Sequence, residues 1–113
     1  MWDRPDIVET TRRLSAYAEA GADCLYAPWV TSVAHVSAIV AAVAPEPVNL
    51  IIHRPFTTVA EAARLGVRRI SVGGMLAKTA WRGFLDAARE IAEEGAFSQF
   101  VDLPNLNALL AGD

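Results

Sequence analysis

The sequence predicts an α/β fold built from short strand–helix repeats. Three apolar runs, Ala22 to Ala27, Val48 to Ile52 and Val67 to Val72, alternate with segments whose apolar residues recur every three or four positions. An internal echo supports the reading. Ala20-Gly21-Ala22-Asp23-Cys24-Leu25-Tyr26-Ala27 and Leu65-Gly66-Val67-Arg68-Arg69-Ile70-Ser71-Val72 share one design: a helix end, a glycine turn, then a strand. The two glycines are 45 positions apart with one strand between them, so each unit spans about 22 residues. Repeated βα units with brief loops imply a parallel sheet with right-handed crossovers. Such a sheet belongs either to an open doubly wound fold or to part of an eight-unit barrel. At 113 residues the chain is one domain at most, well short of the roughly 250 residues of a whole barrel.

The elements follow in order. Asp3 or Asp6 can cap a first helix, with Pro5 tolerated in its first turn. Ile7, Thr11, Leu14 and Ala18 share one face, and Gly21 supplies a left-handed stop. Ala22 to Ala27 reads as a short buried strand. Thr31 or Ser32 opens a second helix whose Val33, Val36, Val40 and Val43 recur at helical spacing, and Pro45 and Pro47 end it. Val48 to Ile52 is the clearest strand, β-branched and aliphatic except for Asn49. Thr58-Val59-Ala60-Glu61 has the form of a capping box, and Gly66 closes that helix. In the third strand, Val67 to Val72, Arg68 and Arg69 are assigned to a solvated start. Gly73-Gly74 then turns into a helix of about twenty residues that ends at Gly95, and Leu103 to Leu110 is a candidate for one more.

Composition narrows the function classes. The chain is 53% hydrophobic and 20% charged, and much of the apolar excess is Ala and Val, which suits helices packed closely on buried strands. It also leaves apolar surface in want of cover. A net charge of -3 argues against a nucleic-acid footprint, since Arg12–Arg13 and Arg68–Arg69 are small clusters beside acids. No apolar run reaches the roughly 18 residues of a membrane span, and Met1 to Asp6 has no signal-peptide character. The single cysteine, Cys24, fits a reducing, cytoplasmic setting and reads as a buried structural thiol.

In either architecture ligands meet the loops after the strands' C-terminal ends, here Pro28-Trp29-Val30, His53-Arg54-Pro55-Phe56 and Gly73-Gly74-Met75. The acidic residues lie elsewhere: in helices, at strand starts, in the Pro45–Pro47 turn or in the tail. A Mg²⁺ site made of two or more carboxylates is therefore not expected on this face, and no zinc pattern occurs. Asn49 is polar in an apolar strand and either bonds nearby backbone or points into a site. His53 and Arg54 form a solvated loop pair or an anion contact. Gly73 and Gly74 either present free N–H groups to a phosphate or carboxylate, or simply permit the turn. Lys78, one turn into the long helix, adds charge at the same spot or is merely exposed. No catalytic residue emerges.

Three stretches carry a resemblance: Arg13-Leu14-Ser15-Ala16-Tyr17-Ala18-Glu19-Ala20-Gly21-Ala22-Asp23, then Glu46-Pro47-Val48-Asn49-Leu50, then Leu65 to Gly74. In this order and spacing they resemble the C-terminal part of the isocitrate lyase/phosphoenolpyruvate mutase family. The resemblance implies a partial (βα)₈ TIM barrel: strands six to eight, with Met75 to Glu94 as its long C-terminal helix. Complete members are Mg²⁺-dependent. They cleave or form a C–C bond, or act on a P–C bond, of 2-oxo acid or dicarboxylate substrates.

The same resemblance implies that the metal-binding acids and the gating loop precede this chain, which would then be inactive alone and bind no metal by itself. Asn49 matches a strand-seven asparagine that contacts the substrate carboxylate, and Lys78 falls where lyases often place an arginine. One departure weighs against true isocitrate or methylisocitrate lyase activity: Tyr26-Ala27-Pro28 lacks the glutamate that lyases carry after strand six. The family exchanges its eighth helix between subunits, so a homo-oligomer through Met75–Glu94 is expected. Alternatives are a non-catalytic half-barrel that self-associates or docks on a full-length relative, and a phosphate-binding barrel fragment.

Overall fold

The computed structural model describes residues 6–111. Its order is α1 (Ile7–Glu19), β1 (Leu25–Tyr26), α2 (Val33–Val43), β2 (Val48–Ile51), α3 (Val59–Arg64), β3 (Arg69–Ser71), α4 (Met75–Glu94) and α5 (Leu106–Ala111). The chain divides after Gly73 into two compact units. The first holds all three strands, parallel and in the order β1-β2-β3.

Asp6 caps α1, accepting from the backbone N–H groups of Val8 and Glu9. The alternative cap, Asp3, lies outside the described residues, as does Pro5. α1 and α3 end in the same way, which explains the echo in the sequence. Beyond α1, Gly21 N–H donates to the Ala18 carbonyl and Ala22 N–H to that of Tyr17. Beyond α3, Gly66 N–H donates to Ala63 and Val67 N–H to Ala62. Both are Schellman turns, and both need a left-handed residue at the same place; Gly21 sits at φ 91° and Gly66 at φ 92°. At the start of α3 the expected capping box is complete: Thr58 Oγ1 accepts from Glu61 N–H, and the Glu61 carboxylate accepts from Thr58 N–H.

The core lies between the sheet and the helices. Leu25, Val48 and Leu50 turn one face of the strands toward Leu14 of α1 and Val36, Ile39 and Val43 of α2, with Ala62 and Val67 closing the far side. The apolar face of α2 therefore runs through Ile39, while Val33, expected on it, is exposed.

β1 departs from a fully buried run. From Cys24 to Ala27 burial alternates, with Leu25 and Ala27 buried and Cys24 and Tyr26 exposed. Strand side chains point alternately to opposite faces, so the thiol expected to be buried stands on the side away from Leu25.

In the second unit, α4 ends at Gly95 (φ 65°). Trp81, Phe84, Leu85 and Ile91 recur along one side of it at helical spacing and are exposed. Trp81 and Phe84 meet edge to face at 5.4 Å. On the polar side Asp86 pairs with Arg82 and Arg89, and Glu90 accepts from Ser98 N–H beyond the helix end. α5, expected within Leu103 to Leu110, spans Leu106–Ala111.

Candidate functional site

The face of the sheet opposite the helices is the polar one. Register places Tyr26, Asn49 and Arg69 in one row across the three strands, and Ile51 beside Ser71 in the next. The even alternation that turns Val48 and Leu50 into the core turns Asn49 the other way. Asn49 is nonetheless only 5% exposed. A buried amide needs partners, and both of its ends have one: Oδ1 accepts from Arg69 Nη1 at 3.0 Å, and Nδ2 donates to Ser71 Oγ at 3.1 Å. The partners are side chains of the adjoining strand rather than nearby backbone.

No acid among the described residues forms an ion pair with Arg69. This part of the face thus carries an uncompensated positive charge beside a hydroxyl and a carboxamide. Such a combination suits an anionic, oxygen-rich ligand.

Two interactions join the loops after β1 and β2. The Trp29 ring lies edge-on to His53 with centroids 4.9 Å apart, and Arg54 Nη2 donates to Thr31 Oγ1 at 2.7 Å. Trp29 holds a left-handed backbone (φ 65°), uncommon for a residue with a Cβ. His53 and Arg54 thus each contact the neighbouring loop, and Arg54 is exposed, as in the solvated-loop reading. After β3, Gly73 has φ 52° and a Cβ there would lie 3.5 Å from Ile51 Cδ1, whereas Gly74 has an ordinary φ and open space. Gly74 and Lys78 belong to the second unit, where Lys78 is exposed and its N–H donates to the Gly74 carbonyl. Of the residues singled out in the sequence, the structure gathers polar partners around Asn49. Those partners, Arg69 and Ser71, were missed. The signal is present as alternation: polar Arg69 and Ser71 alternate with apolar Ile70 and Val72.

The described residues do not fit a Mg²⁺ site. Asp23 and Glu46 precede β1 and β2 rather than follow them, and no group of three His, Cys, Asp or Glu side chains converges. Among the described residues no helix is long and apolar enough to cross a membrane.

A parallel sheet of βα units with one face packed on helices is the α/β class whose ligands meet the strands' C-terminal ends, and Ser71 stands at such an end of β3. The comparisons are specific within that class. A phosphoenolpyruvate phosphomutase family profile matches residues 1–92. The chain belongs to that family. Among solved structures, a protein of Burkholderia cenocepacia J2315 provisionally assigned as a lyase/mutase is 39% identical, with a TM-score of 0.87 over 96% of this chain and 41% of that one. Oxaloacetate acetylhydrolase, solved with its product oxalate, is 24% identical with a TM-score of 0.76, covering 91% of this chain and 37% of the other. 2,3-Dimethylmalate lyase, a member of the PEP mutase/isocitrate lyase superfamily, is 21% identical with a TM-score of 0.74, covering 91% and 38%. The last two show the shared fold. The chain spans about two fifths of the length of these proteins. Among curated proteins none matches significantly.

Proposed function

We propose that the chain supplies the carboxylate-holding side of a (βα)₈ lyase/mutase centre acting on the C–C, or P–C, bond of a 2-oxo acid or dicarboxylate. In this reading β1 to β3 are strands six to eight of the barrel, and the polar face of the sheet looks into it. The observation that carries the proposal is the Asn49–Arg69–Ser71 constellation, two paired polar side chains and a guanidinium without an acid on one face. Asn49 Nδ2 bears two hydrogens and spends one on Ser71, so the other is free for a carboxylate oxygen. Arg69 adds charge, which strengthens such a bond and draws the anion in. Gly73 and Gly74 are read from the sequence alone as a turn able to present N–H groups to an anion, and Lys78 as a substrate contact that only the resemblance implies.

The chain's own residues bind and orient; none is placed as a nucleophile or general base. The acids that hold Mg²⁺ in the complete enzyme belong, in this reading, to polypeptide outside these 113 residues, and the chain alone is inactive. The exposed apolar stripe of α4 is the subunit contact of a homo-oligomer, and the protein works in the cytoplasm.

Oxalate, the product bound to the related acetylhydrolase, is a suitable probe. Calorimetric titration of the chain should detect millimolar-range oxalate binding that Asn49→Ala weakens about tenfold, as expected for one hydrogen bond to a charged group. Equal binding by both proteins, or none by the parent chain, contradicts the proposal.

A further inference from the structure

We infer that Arg69 is a positioning residue: it sets the hydrogen-bond polarity of Asn49, and through Asn49 it leaves the Ser71 hydroxyl proton free to donate to a carboxylate. The inference deepens the carboxylate reading and rests on it for the nature of the ligand. Its structural part stands on the network alone.

A carboxamide has two ends of nearly equal shape and opposite character, one accepting and one donating. Nothing in the steric fit of Asn49 between β1 and β3 chooses between them. The neighbour on the Arg69 side does. A guanidinium has donors and no acceptor, so the end of Asn49 that lies 3.0 Å from Arg69 Nη1 must be Oδ1. The end at 3.1 Å from Ser71 Oγ must then be Nδ2, and it donates.

This settles the role of the hydroxyl in turn. Ser71 Oγ accepts from Asn49, and its own proton cannot point along the same line, where it would face an N–H. The proton is directed elsewhere, toward any acceptor on the polar face. If the carboxamide were reversed, Oδ1 would face Ser71, capture the hydroxyl proton and present lone pairs to the ligand. One arrangement welcomes an anion and the other rejects it. Burial makes the choice count, because Asn49 has little water to satisfy a misdirected end. The partners are 20 and 22 residues from Asn49 in the chain, and strand register alone brings them together.

The test uses the full chain and the side-chain ¹H–¹⁵N signals of Asn49, first without ligand. In Arg69→Met, where no donor remains, the Asn49 carboxamide signals should move and exchange with solvent several times faster. Arg69→Lys keeps a donor without an acceptor and should restore most of the parent signature. A backbone amide spectrum unchanged outside β2 and β3 separates this from unfolding. Unchanged carboxamide signals in Arg69→Met overturn the inference, and so does an equal loss in the Met and Lys variants. Should the Met variant fail to fold, Asn49→Asp serves instead, read by the oxalate response at Ser71 because it has no carboxamide signal of its own. It keeps the acceptor for Arg69 but replaces the Nδ2 donor with a second acceptor, which takes the Ser71 proton.

Oxalate is then added. The parent chain should show a Ser71 response, weakened about tenfold in Arg69→Met and about tenfold or more in Asn49→Asp. A full oxalate response at Ser71 in Asn49→Asp overturns the inference. No response in the parent chain sinks the carboxylate reading instead, while the ligand-free Asn49 signals still decide whether Arg69 sets the polarity.

Discussion

A Cβ placed on Gly66 would lie 2.8 Å from Val40 Cγ1, closer than side chains approach one another in proteins. Gly66 thus does two things at once. It takes the left-handed turn that ends α3, and it lets that turn press against α2. Gly66→Ala should destabilise the first unit by about 2 kcal/mol or more, combining roughly 1 kcal/mol of backbone strain with an overpacking cost. Gly21 has the same φ but open space around it, so Gly21→Ala should cost only the strain. Chemical denaturation of both variants checks the ordering, and equal losses would show that the contact with Val40 is unimportant.

At the other end of α3, Thr58 and Glu61 satisfy each other's backbone donors. Thr58→Ala removes one acceptor and leaves Glu61 N–H unpaired in a helix only six residues long. A loss of about 0.5–2 kcal/mol is expected. Thr58→Ser, which keeps the hydroxyl, should retain most of the stability. A serine variant as weak as the alanine variant would rule out capping as the cause.

Leu25 anchors the shortest strand and is fully buried between sheet and helices. Leu25→Ala should cost about 2–5 kcal/mol, the range for a buried leucine truncation. Denaturant midpoints read this directly. A loss under about 1 kcal/mol would mean that β1 is not part of the cooperative core.

Three carboxylates titrate below their ordinary range. Hydrogen bonds from Arg12 and then Arg13 lower Glu9 to about 2. The backbone N–H of Thr58, followed by the Thr58 and Thr57 hydroxyls, lowers Glu61, and hydrogen bonds from Ser98 lower Glu90. In each case the folded state binds its proton less readily than the unfolded state. The stabilisation is therefore complete above the unfolded value of about 4.5 and fades as pH falls toward the folded value, for Glu9 down to about 2. All three lie at the surface, Glu61 exposed and Glu9 and Glu90 half-buried, so the effect is modest. Thermal midpoints should fall on acidification through this window, with a shallower slope in Glu61→Gln. A midpoint that is flat or rises would contradict the assignment.

Much of the fold was legible because its signals are local. Glycines at 21, 66 and 95 mark helix ends, Thr58 and Glu61 write a cap, and β2 is aliphatic except for Asn49. The network around Asn49 was not legible in the same way. Its members are joined by register between parallel strands, and register depends on the packing of the whole sheet rather than on neighbours in sequence. Arg69 is the exposed start of β3, as its sequence position suggests, but its bond to Asn49 follows from register and not from that position. The exposure of Cys24 has a related cause: an apolar run reads as buried on both faces, whereas the segment through β1 buries every second residue.

The most direct test of the central claim is an assay of Mg²⁺-dependent oxaloacetate cleavage by the purified chain, with oxalate binding followed on the same sample. The proposed function predicts an oxalate response at Ser71 and Asn49 with no turnover, because it assigns the carboxylate-holding face to this chain and the metal-holding acids to other polypeptide. Turnover that disappears in Asn49→Ala would contradict it.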